Sequence, residues 1–152
     1  MASWTEFEAA APDLAAAGRR LLFQYGPGLA FLATVRADGG PRLHPICPAI
    51  VDGHLCAFII DSPKRRDLLR DGRYALHSFL PEQSDDEFML LGRAAPIDDP
   101  ARCRAVSAAL GALGVTHEEN DRLFAFTIER AYYAAYKGHG TAAGPPVRTR
   151  WP

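Results

Sequence analysis

The chain has 152 residues, 48% of them hydrophobic and 23% charged, with 17 basic against 18 acidic side chains and a formal net charge of -1. That is enough for one domain with a core of its own and too little for two. The even charge balance argues against general attraction to nucleic acid, and no apolar run approaches the ~18 residues of a membrane span.

Cys47, Cys56 and Cys103 show no Cys-x-x-Cys spacing and no histidine at metal-ligand distance in sequence, so neither a disulfide framework nor a metal site is expected. They read instead as small buried hydrophobes, the first two on strands and the third on a helix. The start Met1-Ala2-Ser3-Trp4-Thr5-Glu6 lacks the basic and apolar regions of a signal peptide, which makes the cytoplasm the expected location.

Residues 1–27 read as a helical segment, with Pro12 and Asp13 near a helix start and Leu14, Leu21 and Leu22 on an apolar stripe. Tyr25-Gly26-Pro27-Gly28 ends it and releases the chain into a strand over residues 29–36. The first five residues of that strand are apolar, which predicts burial on both faces. A second strand, residues 42–51, places Arg42, His44 and Ile46 on one face. Pro45 and Pro48 deny it ladder N–H groups, so it should lie at an edge, a bulge or a split in the sheet. A third strand covers residues 55–60, and the Asp-Gly turns on either side of the second strand suit tight hairpins.

Next comes Asp61-Ser62-Pro63-Lys64-Arg65-Arg66-Asp67-Leu68-Leu69, where Ser62 suits an N-cap and Pro63 a first helical position. Three cations in a first turn are mildly unfavourable against the helix dipole, by ~0.3–1 kcal/mol each, and a bound anion would reverse that sign. Lys64 with Arg65 therefore reads as a phosphate clamp, set against the plainer reading of a solvated basic turn balanced by Asp61 and Asp67.

Further strands are expected over residues 74–80 and 88–95, with Gly92 marking a bulge, and over residues 123–128 and 132–136. A helix starting at Asp98-Asp99-Pro100 and ending near Gly114 lies between them, followed by an acidic turn at residues 116–121. Residues 138–152 read as an irregular tail that ends in Arg148-Thr149-Arg150-Trp151. Among the scattered histidines only His44 stands near the suspected site, while His77 reads as satisfied by local hydrogen bonds. No catalytic acid–base pair is legible.

These elements predict one mainly β (α+β) domain over residues 1–152, a small antiparallel barrel with peripheral helices. The run Gly40-Pro41-Arg42-Leu43-His44-Pro45, the second Asp-Gly turn, an apolar strand and then Ser62-Pro63-Lys64-Arg65-Arg66-Asp67-Leu68 resembles the pyridoxamine-phosphate-oxidase-like split barrels that bind flavin. The resemblance spans residues 29–97 and rests chiefly on the Ser-x-Lys-x-x-Asp-Leu run. It implies a split β-barrel homodimer with flavin mononucleotide (FMN) at the interface. Arg42, His44, Pro45 and Ile46 would line the ring and ribityl chain, with Phe58, Ile59 and Ile60 beneath it and Lys64 and Arg65 on the phosphate. Trp151 would complete an apolar pocket for a small organic substrate of an oxidoreductase. The alternatives are a deazaflavin (F420) reductase, a non-catalytic flavin-binding stress protein, and a haem-binding relative using His44 or His139.

Overall fold

A computed structural model describes residues 1–140 and 144–152. The N-terminal segment is two helices, α1 (Trp4–Ala10) and α2 (Pro12–Leu22). A capping box starts α1: Ser3 Oγ accepts from the Glu6 N–H at 3.3 Å, and Glu6 Oε2 accepts from the Ser3 N–H at 2.7 Å. Pro12 cannot extend α1 because it has no N–H, and it opens α2 instead. Leu14, Leu21 and Leu22 face the core together with Trp4 and Phe7.

Eight strands form one antiparallel sheet: β1 (Ala30–Val35), β2 (Pro41–Ile46), β3 (Ala49–Val51), β4 (His54–Ile59), β5 (Arg73–Ser78), β6 (Glu87–Pro96), β7 (Arg122–Ala135) and β8 (Val147–Trp151). The strand order is β2-β1-β5-β6-β7-β4-β3, with β8 also paired to β7. β2 and β3 lie at opposite ends of that order, yet only Cys47 and Pro48 separate them in the chain. The sheet must therefore curl until its ends meet, and the ring is open where those two residues pass between them. The architecture is a split barrel, mainly β, with helices outside it.

The expected strand over residues 42–51 is thus two strands, and Cys47 lies between them rather than within one. The physical reason is the pair Pro45 and Pro48, which leaves the ladder short of donors where the chain changes neighbours. The expected strands 123–128 and 132–136 are one, β7, because β6 pairs with it along its length and holds Glu129 and Arg130 extended. Its other side is taken in turn by β4, by a bridge between Ala2 and Ile128, and by β8. The tail is therefore not irregular throughout, since Val147–Trp151 pairs with Ala131–Ala135. Residues 141–143 of that expected tail lie outside the described residues.

A register shift between Leu91 and Gly92 is the bulge expected at Gly92. A Cβ there would stand 1.9 Å from the Thr127 carbonyl oxygen, so only glycine fits. Helix α3 (Pro63–Arg70) follows β4 and packs on β1 and β6, and α4 (Pro100–Gly111) covers β3, sealing Val106 and Leu110 against Ala49, Cys56 and Leu123. Among the described residues no helix is long and apolar enough to cross a membrane.

Candidate functional site

The split, the first turn of α3 and the segment after α4 enclose a cavity of about 240 Å³. Pro45, Ile46 and Cys47 come from the split, Phe58 and Ile60 from β4 and its end, and Lys64 from α3. Val115, Thr116, His117 and Asp121 roof it. Alternation along β4 sends Phe58 toward this space and Ile59 into the barrel core, where Ile59 is fully buried.

Lys64 is only 7% exposed. Among the described residues its ammonium has no hydrogen-bond or ion-pair partner, and burial holds its pKa below the ordinary lysine value despite the Asp121 carboxylate nearby. Ser62 begins α3 but does not cap it with its side chain, because its hydroxyl donates to the Ile60 carbonyl at 3.0 Å. A cation on a largely buried residue and a helix start without a side-chain cap thus face one small space, which Asp121 also lines.

Arg65 turns elsewhere. Its guanidinium pairs with Asp61 at 2.7 Å and donates to the Asn120 carbonyl at 2.6 Å, tying α3 to the roof of the cavity. His117 completes that roof: its ring stacks on Phe58 at 3.8 Å and 9°, and its Nε2 lies 2.8 Å from Ser107 Oγ. In sequence residues 116–121 are an acidic turn. No local signal singles out His117, which reaches the site through the packing of α4 on β3.

Arg42, His44 and Ile46 share a face of β2, opposite Thr34, Leu32 and Ala30 of β1. Arg42 is engaged by Asp67 at 2.7 Å, and the same buried carboxylate accepts from Thr34 Oγ1 at 3.0 Å and from Arg70. His44 is partly buried. Burial, then Lys64 and Arg42, lower its pKa against the opposing pull of Asp67. Trp151 packs against Phe7 at 5.1 Å between ring centres, in the core below α1 and away from this cavity. The cavity therefore gathers Pro45, Ile46, Phe58, Ile60 and Lys64, keeps Arg42, His44 and Arg65 around it, and leaves Ile59 and Trp151 in the core.

The fold and cavity define a split-barrel protein with a small cavity at its split, into which Lys64 and Asp121 both face. No protein-family model matches the sequence, and neither does any curated protein. Similar solved structures include HutZ, a heme storage protein from Vibrio cholerae, at a TM-score of 0.59 and 15% identity over 78% of this chain and 89% of that one. A heme binding protein from Mycobacterium smegmatis gives 0.63 and 19% over 88% of this chain and 57% of that one. A NimC/NimA family protein from Clostridium acetobutylicum gives 0.63 and 15% over 91% and 94%. At these identities the likeness is one of fold.

Proposed function

We propose that this chain binds FMN with the phosphate against Lys64, and that it works as a flavin-dependent oxidoreductase on a small organic substrate. The observation that carries this is the Lys64 ammonium, on a residue only 7% exposed and without a partner among the described residues, in a cavity where Pro45, Ile46, Phe58 and Ile60 are the apolar wall and Cys47, Thr116, His117 and Asp121 the polar one. At about 240 Å³ the cavity is smaller than the ~300–1,000 Å³ of typical small-molecule pockets. It suits a phosphate and the start of a ribityl chain, leaving the flavin ring to the exposed rim near Pro45 and Ile60. A homodimer would cover such a ring, and the outward-facing Phe31 and Leu43 on β1 and β2 supply an apolar surface for a second copy. When bound, flavin brings its own two-electron chemistry, and the residues named here hold it and exclude water.

Titration of apo-protein with FMN, riboflavin and F420 tests the reading. FMN should bind at least about tenfold tighter than riboflavin, and Lys64→Ala should erase that difference. Equal affinity of the unaltered protein for FMN and riboflavin would remove the phosphate site. Preference for F420 would keep Lys64 and replace the cofactor, and tight flavin binding with no turnover on a broad acceptor panel would favour storage. Sedimentation tests the dimer, which a monomer at micromolar concentration rules out.

Haem is the second reading, favoured by the half-buried imidazole of His44 beside the split, whose pKa burial lowers toward the form that ligates iron, and by the structurally similar heme proteins. An absorption spectrum separates the two, since a haem band lost on His44→Ala would displace the flavin reading.

A further inference from the structure

A larger cavity, about 660 Å³, lies elsewhere, on the outer face of β5 to β8, and shares no residue with the Lys64 cavity. Strand register places His77, Met89, Tyr132 and Arg150 in one row across four adjacent strands. Three strand spacings make that row roughly 14 Å long. Arg148 stands two residues before Arg150 on the same face of β8 and also lines the groove.

Two features give this groove a chemical direction. The first is the tautomer of His77. Its Nδ1 lies 2.6 Å from the Ser78 carbonyl oxygen, which can only accept, so Nδ1 carries a proton and in the neutral ring Nε2 keeps its lone pair. Local bonding therefore accounts for only one ring nitrogen. The second is charge. Among the described residues neither Arg148 nor Arg150 has a hydrogen-bond or ion-pair partner, and the one carboxylate in the groove, Glu87, accepts from Tyr136 Oη at 3.4 Å. Between the histidine and the arginines the wall is Met89, Tyr132 and Ala134, apolar apart from the phenol.

We propose that this groove is a second ligand site for a flat aromatic acid carrying an O–H or N–H donor at the end away from its carboxylate. Arg148 and Arg150 take the carboxylate, Tyr132 and Met89 pack on the ring, and His77 Nε2 accepts from the donor. Glu87 disfavours a second negative charge, so a monocarboxylate fits better than a dicarboxylate. No residue is common to the two cavities, and the groove is independent of the flavin itself, while a second copy seated on Phe31 would border it, since Phe31 is the β1 neighbour of His77.

The test uses the full chain and four probes: 4-hydroxybenzoate, 4-methoxybenzoate, benzoate and phenol, with affinity measured by calorimetry in every variant and the place of binding read, in chains that keep His77, from NMR shifts of its ring. 4-Hydroxybenzoate should bind about tenfold or more tightly than 4-methoxybenzoate or benzoate, with a saturable shift at His77. His77→Phe should bring 4-hydroxybenzoate down to the level of benzoate, and His77→Gln, which keeps an acceptor, should recover part of the loss. The double change Arg148→Gln with Arg150→Gln should abolish the advantage of 4-hydroxybenzoate over phenol. Equal binding of 4-hydroxybenzoate and 4-methoxybenzoate to the unaltered chain overturns the proposal without any variant, as does saturation with no shift at His77.

Discussion

Arg42 Nε donates to Asp67 Oδ2 at 2.7 Å, joining a guanidinium that is 26% exposed to a carboxylate that is 5% exposed. Through this pair α3 is fastened to β2, while Thr34 and Arg70 fasten the same carboxylate to β1 and to the helix itself. Lys64 is thereby held against the split by a residue three positions further along its own helix.

Removing that anchor leaves Arg42 half-buried without its anion. Breaking a buried pair from one side costs ~3–5 kcal/mol, and the partial exposure of Arg42 points to the lower end. Asp67→Asn should therefore lower the urea midpoint clearly while Arg70→Gln, at a more exposed position, should lower it little. Equal effects would mean that Arg42 does not matter to the anchor.

Acid should act through the same carboxylate and through Asp86. Burial alone would raise the pKa of each, but hydrogen bonds from Arg42, Thr34 and Arg70 outweigh it at Asp67. At Asp86 the Tyr136 N–H, the Tyr133 hydroxyl and Arg20 do the same. A folded pKa below the unfolded value contributes stability that is present above the ordinary carboxylate range and is lost as pH falls through the folded value. Stability should fall most steeply below about pH 4, near the unfolded carboxylate pKa, after a shallower decline that starts below about pH 6.5 because the folded pKa of His44 is lowered as well. A urea midpoint that falls between pH 7 and 5 in a His44→Gln variant as much as in the wild type, or that does not steepen below pH 4, would overturn this assignment.

How much of this was legible depends on how local each feature is. The Pro45 and Pro48 pair marks the split because a missing N–H is a local fact, and Ser62-Pro63 marks the start of α3 for the same reason. Period-two alternation could have separated Ile59 from Phe58 and Ile60, since neighbours on a strand face opposite ways. The ends of the chain were harder. β8 forms because β7 is long enough to pair beyond β4, and nothing within Val147–Trp151 announces that partner. Arg65 was expected on a phosphate, but its choice of Asn120 depends on where α4 delivers the following loop.

The bulge at Gly92 should tolerate no side chain. A Cβ 1.9 Å from the Thr127 carbonyl oxygen must displace backbone, not a flexible side chain. Overpacking typically costs ~1–3 kcal/mol, and Gly92→Ala should reach or exceed the top of that range. Gly111→Ala, where nothing lies within 4 Å, serves as the control and should be neutral or slightly stabilising. Similar losses at both positions would show that the bulge is not what selects glycine at residue 92.

Lys64 and Arg65 are neighbours with different expected effects on FMN. A charge-assisted hydrogen bond is worth ~1.5–3 kcal/mol, so Lys64→Ala should weaken FMN by about tenfold to a hundredfold. Arg65 already spends its guanidinium on Asp61 and Asn120. Its replacement by alanine should loosen the roof and weaken FMN and riboflavin alike. Calorimetry on both variants decides this, and a phosphate-selective loss in Arg65→Ala would restore the two-residue clamp.

The burial of Lys64 should itself cost stability, which gives a test that needs no ligand. Its folded pKa lies below the unfolded value because burial penalises the ammonium. Between those two values the unfolded chain binds more protons, so this residue's contribution to stability rises with pH, and below the folded pKa its penalty is felt in full. Lys64→Met keeps the length and removes the charge. It should stabilise the protein at pH 7 by roughly 0.5–2 kcal/mol, the usual size of such gains, while losing preference for FMN over riboflavin. The advantage of the methionine variant should shrink as pH rises toward the ordinary lysine pKa, because the wild-type penalty is then titrated away. Urea denaturation of both proteins at pH 7 and pH 9.5 measures this directly. A methionine variant less stable than wild type at pH 7 would mean that Lys64 is already paired in the ligand-free protein, and the anion pocket would lose its basis.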